Sequence, residues 1–255
     1  MAFSIIQPPF CVAMSIQKPL RYERSNQMKA GFGENMSAMP VGRRVATHAS
    51  PLRCAVFISG SGSGMQALVT SQQNGKRSHT TSVVISNHPD AGGIKLAQAL
   101  GVDVEIVPLP TEAGAGQRTV HEDAIMAVLE RHNVEFLVLC GYMRLFSPHI
   151  LSKWGGRIVN IHPSYLPHFP GAHAHRDVLS SGAQLTGCTV HMVDEGMDTG
   201  PILAQTTVPV LRGDNEQTLS ERVKIEEHRL YPRVLDWIAE GNVTIKDGTT
   251  HLDIP

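Results

Sequence analysis

From Cys54 onward the chain is built of short apolar blocks, separated by segments in which apolar residues recur at helical spacing. Residues 54–59 form a short apolar run that stops at G-S-G-S-G, and residues 65–74 then have helical character. Residues 82–86 predict a second strand, 92–100 a helix and 103–107 a third strand. Val120, Ala124, Ala127, Val128 and Leu129 mark one face of a helix over 120–132. Residues 136–140 are wholly apolar and predict a buried strand. Ser147 followed by Pro148 predicts a helix over 147–154, with serine as N-cap and proline at the first helical position. Residues 157–161 follow as a strand. Strands alternating with helices imply parallel pairing through right-handed crossovers, so this half is predicted to be doubly wound.

The later part is less regular. Residues 160–175 carry Pro163, Pro167 and Pro170 and read as a long ordered loop. Strands are predicted over 188–193 and 202–210, joined by D-E-G-M-D-T-G-P, and a final helix over 217–240, open to interruption at Pro232. The expected fold class is α/β with a mixed, mostly parallel sheet. Residues 1–52 show neither period. Lys18, Arg21, Arg24, Lys29, Arg43 and Arg44 face only Glu23 and Glu34, and small residues follow the Arg43-Arg44 pair. That basic, acid-poor composition predicts an organellar transit peptide. The alternatives are a plain disordered extension, or a start at Met14, Met28 or Met36.

Composition narrows the classes of function. With 42% hydrophobic and 18% charged residues, a wholly disordered chain is excluded and 255 residues suffice for a substantial core. Lys and Arg number 22 against 23 Asp and Glu, a net charge of -1. Neither nucleic acid nor an anionic membrane is therefore expected as a partner, although a local basic pocket for a small anion remains compatible. No apolar run approaches the roughly 18 residues of a membrane span. Cys11, Cys54, Cys140 and Cys188 form no C-x-x-C pair, so neither a zinc ribbon nor a disulfide framework is expected.

Three stretches carry candidate chemistry. Residues 60–64, G-S-G-S-G, lie where a strand passes into a helix, so backbone N–H groups and the helix dipole can hold a phosphate. A dinucleotide fits less well, because Met65 stands where G-x-G-x-x-G requires glycine. The bland alternative is a tight turn with no ligand. Asn160 and His162 close a predicted strand and point to one side of it, placing an amide donor beside an imidazole. That pairing suits acyl transfer, since the ring can move a proton while the amide donates to an oxyanion. Asp194, Glu195 and Asp198 sit in a glycine-flanked turn, from which one acid could reach back to orient an imidazole. His162, His168, His173, His175 and His191 raise a zinc alternative, but H-E-x-x-H is missing and prolines separate several of them.

Taken in order, the motifs resemble the folate-dependent formyltransferases. The resemblance runs from about Cys54 to about Ile245. It rests on I-S-G-S-G-S-G-M-Q-A, G-Y-M-R-L, V-N-I-H-P-S-Y-L-P-H-F-P-G-A-H-A-H, V-D-E-G-M-D-T-G-P and E-E-H-R-L-Y-P. It implies a Rossmann-like formyltransferase fold with helices on both faces of the sheet. It further implies a catalytic domain over 53–246, preceded by the extension 1–52 and followed by a tail 247–255. Asn160, His162 and Asp198 match the family's catalytic triad. Gly62, Ser63 and Gly64 match its phosphate loop, and Glu227 an acid that contacts the sugar-phosphate substrate. Arg118, Met143, Arg144, Leu145 and Phe146 match the folate side, with Asn160 shared. Where Gly64 stands, well-known bacterial members carry Asn, so a side-chain contact is expected to be lost while the backbone N–H is kept.

By resemblance, the formyl donor is 10-formyltetrahydrofolate and the acceptor is the amine of glycinamide ribonucleotide. No metal and no covalent intermediate are implied. The alternative is hydrolysis of the donor, but the phosphate loop is complete and 1–52 is too short and too poorly patterned for a hydrolase's regulatory domain. A transfer-RNA formyltransferase would need an RNA-binding domain, which the charge and the short remainder after Ile245 do not suggest. A catalytically inert binder is disfavoured by the intact triad. The resemblance also suggests the plastid as destination, where plants synthesise purines, with mitochondrion or cytosol as alternatives.

Overall fold

The computed structural model describes residues 39–41, 44–110 and 116–254. Its elements run β1 (Met39–Pro40), β2 (Leu52–Ile58), α1 (Ser63–Asn74), β3 (His79–Ser86), α2 (Gly92–Ala99), β4 (Val104–Ile106), α3 (Gln117–Arg131) and β5 (Phe136–Leu139). They continue α4 (Pro148–Trp154), β6 (Ile158–His162), α5 (Ala174–Ser181), β7 (Leu185–Met192), β8 (Ile202–Pro209), α6 (Glu216–Ala239), β9 (Val243–Lys246) and β10 (Thr249–Leu252).

The main sheet has seven strands in the order β4-β3-β2-β5-β6-β7-β8. Its first five members are parallel, as their alternation with helices predicts, and β7 and β8 complete it antiparallel. β2 is central, and every residue of it after Arg53 is buried, which is why it reads as an unbroken apolar run. One face of the sheet packs against α1, α2, α5 and α6 through Leu68, Ala97, Val178 and Val234. The other packs against α3 and α4 through Ile125, Leu129 and Ile150. Tyr231 of α6 donates its hydroxyl to the carbonyls of Leu139 and Val159, both at 3.0 Å, and so anchors the long helix across β5 and β6.

The chain leaves β2 outward to β3 and β4, then returns through α3 to β5 on the opposite side of β2. The strand order therefore reverses between β2 and β5. A crevice at the carboxyl ends of strands that diverge in this way is where open α/β sheets place ligands.

Four expectations need correcting. The extension expected over 1–52 and the tail expected over 247–255 are in part folded together. β1 and β10 both pair antiparallel with β9 in a small three-stranded sheet. Val41 N–H donates to Val243 O at 3.0 Å and Ala46 N–H to Ala239 O at 2.7 Å, and both side chains are buried. Arg44 grips Glu135 with two hydrogen bonds, at 2.6 and 2.9 Å, and also donates to the carbonyls of Ser50 and Pro51. β2 itself starts at Leu52, one residue before the expected boundary. These contacts are long-range, so no local period announces them. Residues 1–38, which carry most of the transit-peptide reading, lie outside the described residues.

The remaining two corrections are local. The loop expected over 160–175 gives way at Ala174 to α5, a short helix whose start carries no side-chain cap. α6 runs through Pro232 without a break, held across the missing N–H by the buried Leu230, Tyr231, Val234 and Leu235.

Candidate active site

Residues 60–64 sit at the reversal point. Gly62 precedes the first turn of α1 with φ +75°, in the left-handed region that favours glycine, and no side chain caps the helix. The first N–H groups of a helix have no intrahelical partner and can receive an anion. The loop also packs tightly on α2: a Cβ on Gly62 would lie 2.6 Å from Gly93 Cα, and Gly93 N–H donates to Gly60 O at 3.1 Å. Gly64 is less constrained, since a Cβ there would meet only Cys140, at 3.8 Å. A cavity of about 460 Å³ opens between Ser63 and His228 of α6.

Asn160 and His162 share one face of β6, as period two requires, and Asp198 reaches His162 and His191 from the loop between β7 and β8. His162 Nδ1 lies 3.3 Å from Asp198 Oδ2, and His162 Nε2 lies 2.9 Å from the Phe169 carbonyl. Asp198 has φ +56°, and its Oδ2 also accepts from Gly171 N–H at 2.8 Å. The loop that supplies Phe169 and Gly171 is held by the next strands. Thr189 donates to Ser164 O and accepts from Leu166 N–H, while Gln205 donates to Leu166 O. The three residues expected to act together therefore converge at the carboxyl end of β6. Asn160 pairs with Leu139 in the ladder, which sets it beside the end of β5 and the crevice.

Burial dominates the electrostatics of His162 and holds its pKa below the ordinary imidazole value. The Phe169 carbonyl and Asp198 push the other way, and His191 adds to the lowering. Asp198 thus favours the charged ring, but burial outweighs it. Asp198 shows the reverse balance. Burial opposes its ionisation, yet the hydrogen bond from His191, the Gly171 N–H and the two imidazoles hold the carboxyl below its usual range. A half-buried carboxylate beside two histidines can hold an imidazolium in place.

The folate-side residues divide by exposure. Met143 and Leu145 present 68% and 47% of their surface to solvent, large values for apolar side chains beside a crevice. Phe146, expected on the same side, is buried against Phe57 and Tyr142, with ring centroids 5.6 Å away in each case. Its side chain is an anchor. Arg144 is half-buried, and Arg118 is exposed in the first turn of α3. Arg118 precedes by one helical turn Glu122, which hydrogen-bonds Ser147, so it faces the same side.

Glu227 lies on α6 among Cys140, Cys188 and Lys224, and burial pushes its carboxyl up to about 7, against the lowering effect of Lys224. Cys140 is also what a Gly64 Cβ would touch, so the acid and the phosphate loop approach each other across that thiol.

Two residues escaped the sequence. In the sequence His191 is one of the five histidines over 162–191 and carries no further mark. It is the direct cross-strand partner of Asn160, its Nε2 lying 3.2 Å from Asn160 Nδ2 and 3.5 Å from Asp198 Oδ1, and its Nδ1 bonds the Met192 carbonyl. No spacing rule links 160 to 191 before the β6–β7 register is known. Lys224 lines a cavity of about 430 Å³ with His175, Glu216, Gln217, Ser220 and Glu221. Its place three residues before Glu227 on a predicted helix was a readable signal. Among the described residues, no group of three or more His, Cys, Asp or Glu is arranged to hold a metal ion.

The family model described as formyl transferase matches residues 52–235. The chain is 35% identical over 198 residues to the phosphoribosylglycinamide formyltransferase of Escherichia coli (strain K12), covering 78% of this chain and 92% of that protein. It is 41% identical over 193 residues to the human trifunctional purine biosynthetic protein adenosine-3, covering 76% of this chain. The matched part is only 19% of that much longer relative. Among solved structures, glycinamide ribonucleotide transformylase 1 from Symbiobacterium toebii superposes with a TM-score of 0.75 at 40% identity, over 79% of this chain and 94% of that one.

Proposed function

Because the chain belongs to the formyl transferase family, we propose that it transfers the formyl group of 10-formyltetrahydrofolate to the amine of glycinamide ribonucleotide, a step of purine synthesis. The observation that carries the reading is the convergence of Asn160, His162 and Asp198 beside a crevice. One wall of that crevice is a phosphate-type loop, and the other exposes Met143 and Leu145.

The nucleotide's phosphate sits on the N–H groups of Gly62, Ser63 and Gly64, and Glu227 accepts hydrogen bonds from its sugar hydroxyls. The donor lies along Met143, Arg144 and Leu145 with Arg118 nearby, while Phe146 anchors that segment from beneath. The amine attacks the formyl carbon and forms a new C–N bond. The oxygen becomes an oxyanion, stabilised by the Asn160 amide and the protonated His162 ring. The attacking nitrogen gives up a proton, and the folate nitrogen gains one as its bond to the formyl carbon breaks. We assign the transfer of that proton to His162, whose Nε2 must exchange the Phe169 carbonyl for the reacting groups, while Asp198 holds its ring and offsets its charge. The transfer is direct, with neither a metal nor a covalent enzyme intermediate.

A spectroscopic assay for tetrahydrofolate, run with and without glycinamide ribonucleotide, tests the reading. Product that depends on the nucleotide is expected. Product at the same rate without it would make the protein a formyltetrahydrofolate hydrolase. We further propose that the basic, acid-poor residues before Met39 direct the chain to the plastid. A fluorescent fusion of residues 1–38 is expected there, and a diffuse cytosolic signal would reject the proposal.

A further inference from the structure

The segment that exposes Met143 and Leu145 belongs to neither helix nor strand: residues 142–147 connect β5 to α4 as irregular backbone. Something other than a ladder must therefore set its shape. Its side chains alternate, with Tyr142 and Phe146 buried in an aromatic cluster with Phe57 and Met143 and Leu145 turned outward. The backbone is held at two points, one at each end.

At the first, the Met143 N–H donates to Ser59 Oγ at 2.9 Å. Ser59 is the residue between β2 and the phosphate loop. Its own N–H donates to Gly141 O at 3.2 Å, and its hydroxyl donates to Asn87 Oδ1 at 2.6 Å, at the end of β3. At the second, the Ser147 N–H donates to Glu122 Oε1 at 2.7 Å, and the Ser147 hydroxyl donates to Glu122 Oε2. Glu122 is only 2% exposed, and each of its carboxylate oxygens accepts a hydrogen bond from Ser147. A carboxylate buried so deeply is costly unless hydrogen-bonded, and here its bonds are spent on the end of this one segment. Asp123, the next residue of α3, bonds His149 at 2.7 Å and ties the same two elements together again.

We infer that Ser59 and Glu122 are positioning residues for the folate donor. They fix the backbone of 143–146 in the shape that receives it, without touching it. The inference rests on the folate-side reading above and adds two residues to it. Fixing irregular backbone costs conformational entropy at every residue of the segment. Here folding meets that cost before the ligand arrives. Once a pin is cut, ordering of the segment is charged to binding and affinity for the donor falls. The phosphate loop keeps its own support through Gly60 and Gly93, so the nucleotide side is spared.

The test compares Ser59→Ala, Glu122→Ala and Glu122→Gln with the parent, all as the full chain. Measured are KM for each substrate, kcat, and direct binding of tetrahydrofolate by fluorescence. Each alanine variant should raise the folate KM and weaken tetrahydrofolate binding at least tenfold, since each removes the hydrogen bonding that pins one end of the segment. KM for glycinamide ribonucleotide and kcat should stay within roughly twofold of the parent, the pattern of a lost ground-state interaction. Glu122→Gln keeps a carbonyl oxygen for the Ser147 N–H and should restore most of the folate affinity. Both KM values rising together, unchanged folate binding in the alanine variants, or equal damage from Gln and Ala at Glu122 would overturn the inference. The parent decides the underlying reading separately. A parent that binds tetrahydrofolate but transfers no formyl group fails the proposed function alone, and one that does neither overturns both.

Discussion

His162 Nδ1 and Asp198 Oδ2 lie 3.3 Å apart, the ring at the end of a strand and the carboxylate on a loop at positive φ. Burial already holds the ring's pKa below its ordinary value, so the neighbouring anion is the main charge working against a further fall. Asp198→Asn preserves volume and removes that charge. The His162 pKa, followed by NMR, should then drop below that of the parent, and kcat should fall by about 10²–10⁴ with little change in either KM. Losses of Asp198→Asn and His162→Ala that multiply fully in the double variant would show that the two do not act as a unit.

Glu227 gives a pH dependence of defined sign. Its carboxyl is pushed up to about 7 in the fold, from an ordinary value of 4.5. Below the unfolded value both states hold the proton, and the group has no effect on stability. Between that value and about 7 only the folded state holds it, so stability falls as pH rises, and above about 7 the loss is complete. Glu227→Gln should leave the melting temperature unchanged near pH 4 and raise it most above pH 7. The same variant should weaken glycinamide ribonucleotide binding. A thermal shift that does not vary with pH would refute the assignment.

The segment before β2 should matter for stability. Val41 and Ala46 are buried, and Arg44 holds Glu135 below its usual carboxylate range, chiefly through their hydrogen bonds. A chain starting at residue 53 loses all three residues and the first residue of β2. It should melt about 5–10 °C below one starting at residue 39, given the apolar area exposed and the size of the domain. Equal melting temperatures would mean that these contacts contribute nothing.

Gly93 supports the phosphate loop from outside it. A Cβ there would lie 2.6 Å from Ile58 Cδ1 and 2.9 Å from Gly62 Cα. Gly93→Ala must push the loop or the end of β2, and overpacking of this kind costs about 1–3 kcal/mol. KM for glycinamide ribonucleotide should rise at least tenfold, while tetrahydrofolate binding changes much less. Equal loss of both ligands would show that the displacement spreads through the whole crevice.

Much of the architecture was readable from the chain because its causes are local. The apolar run of β2 reflects a strand buried on both faces, and the Ser147–Pro148 pair starts α4 with the serine accepting from His149 N–H, as predicted. The glycines of 60–64 marked a strand-to-helix turn because Gly62 needs a positive φ there. Asn160 and His162 were legible as a pair because side chains on a strand repeat every second residue.

Other features depend on register and packing, which no period in a single sequence encodes. His191 joins Asn160 and Asp198 only because β7 runs antiparallel to β6 at that register, and one residue of slip would turn its ring to the opposite face. Phe146 is an anchor because Phe57 and Tyr142 happen to close around it, while its neighbours Leu145 and Met143 stay exposed. Arg44 belongs to the folded domain because Glu135, far along the chain, meets it with two hydrogen bonds, whereas in the sequence it was one basic residue among several. The sequence alone determined the order of the elements and the kinds of residue available for chemistry, because propensity and patterning act over a few residues. The tertiary structure alone decided which of those residues meet, because burial and hydrogen bonding act across any separation.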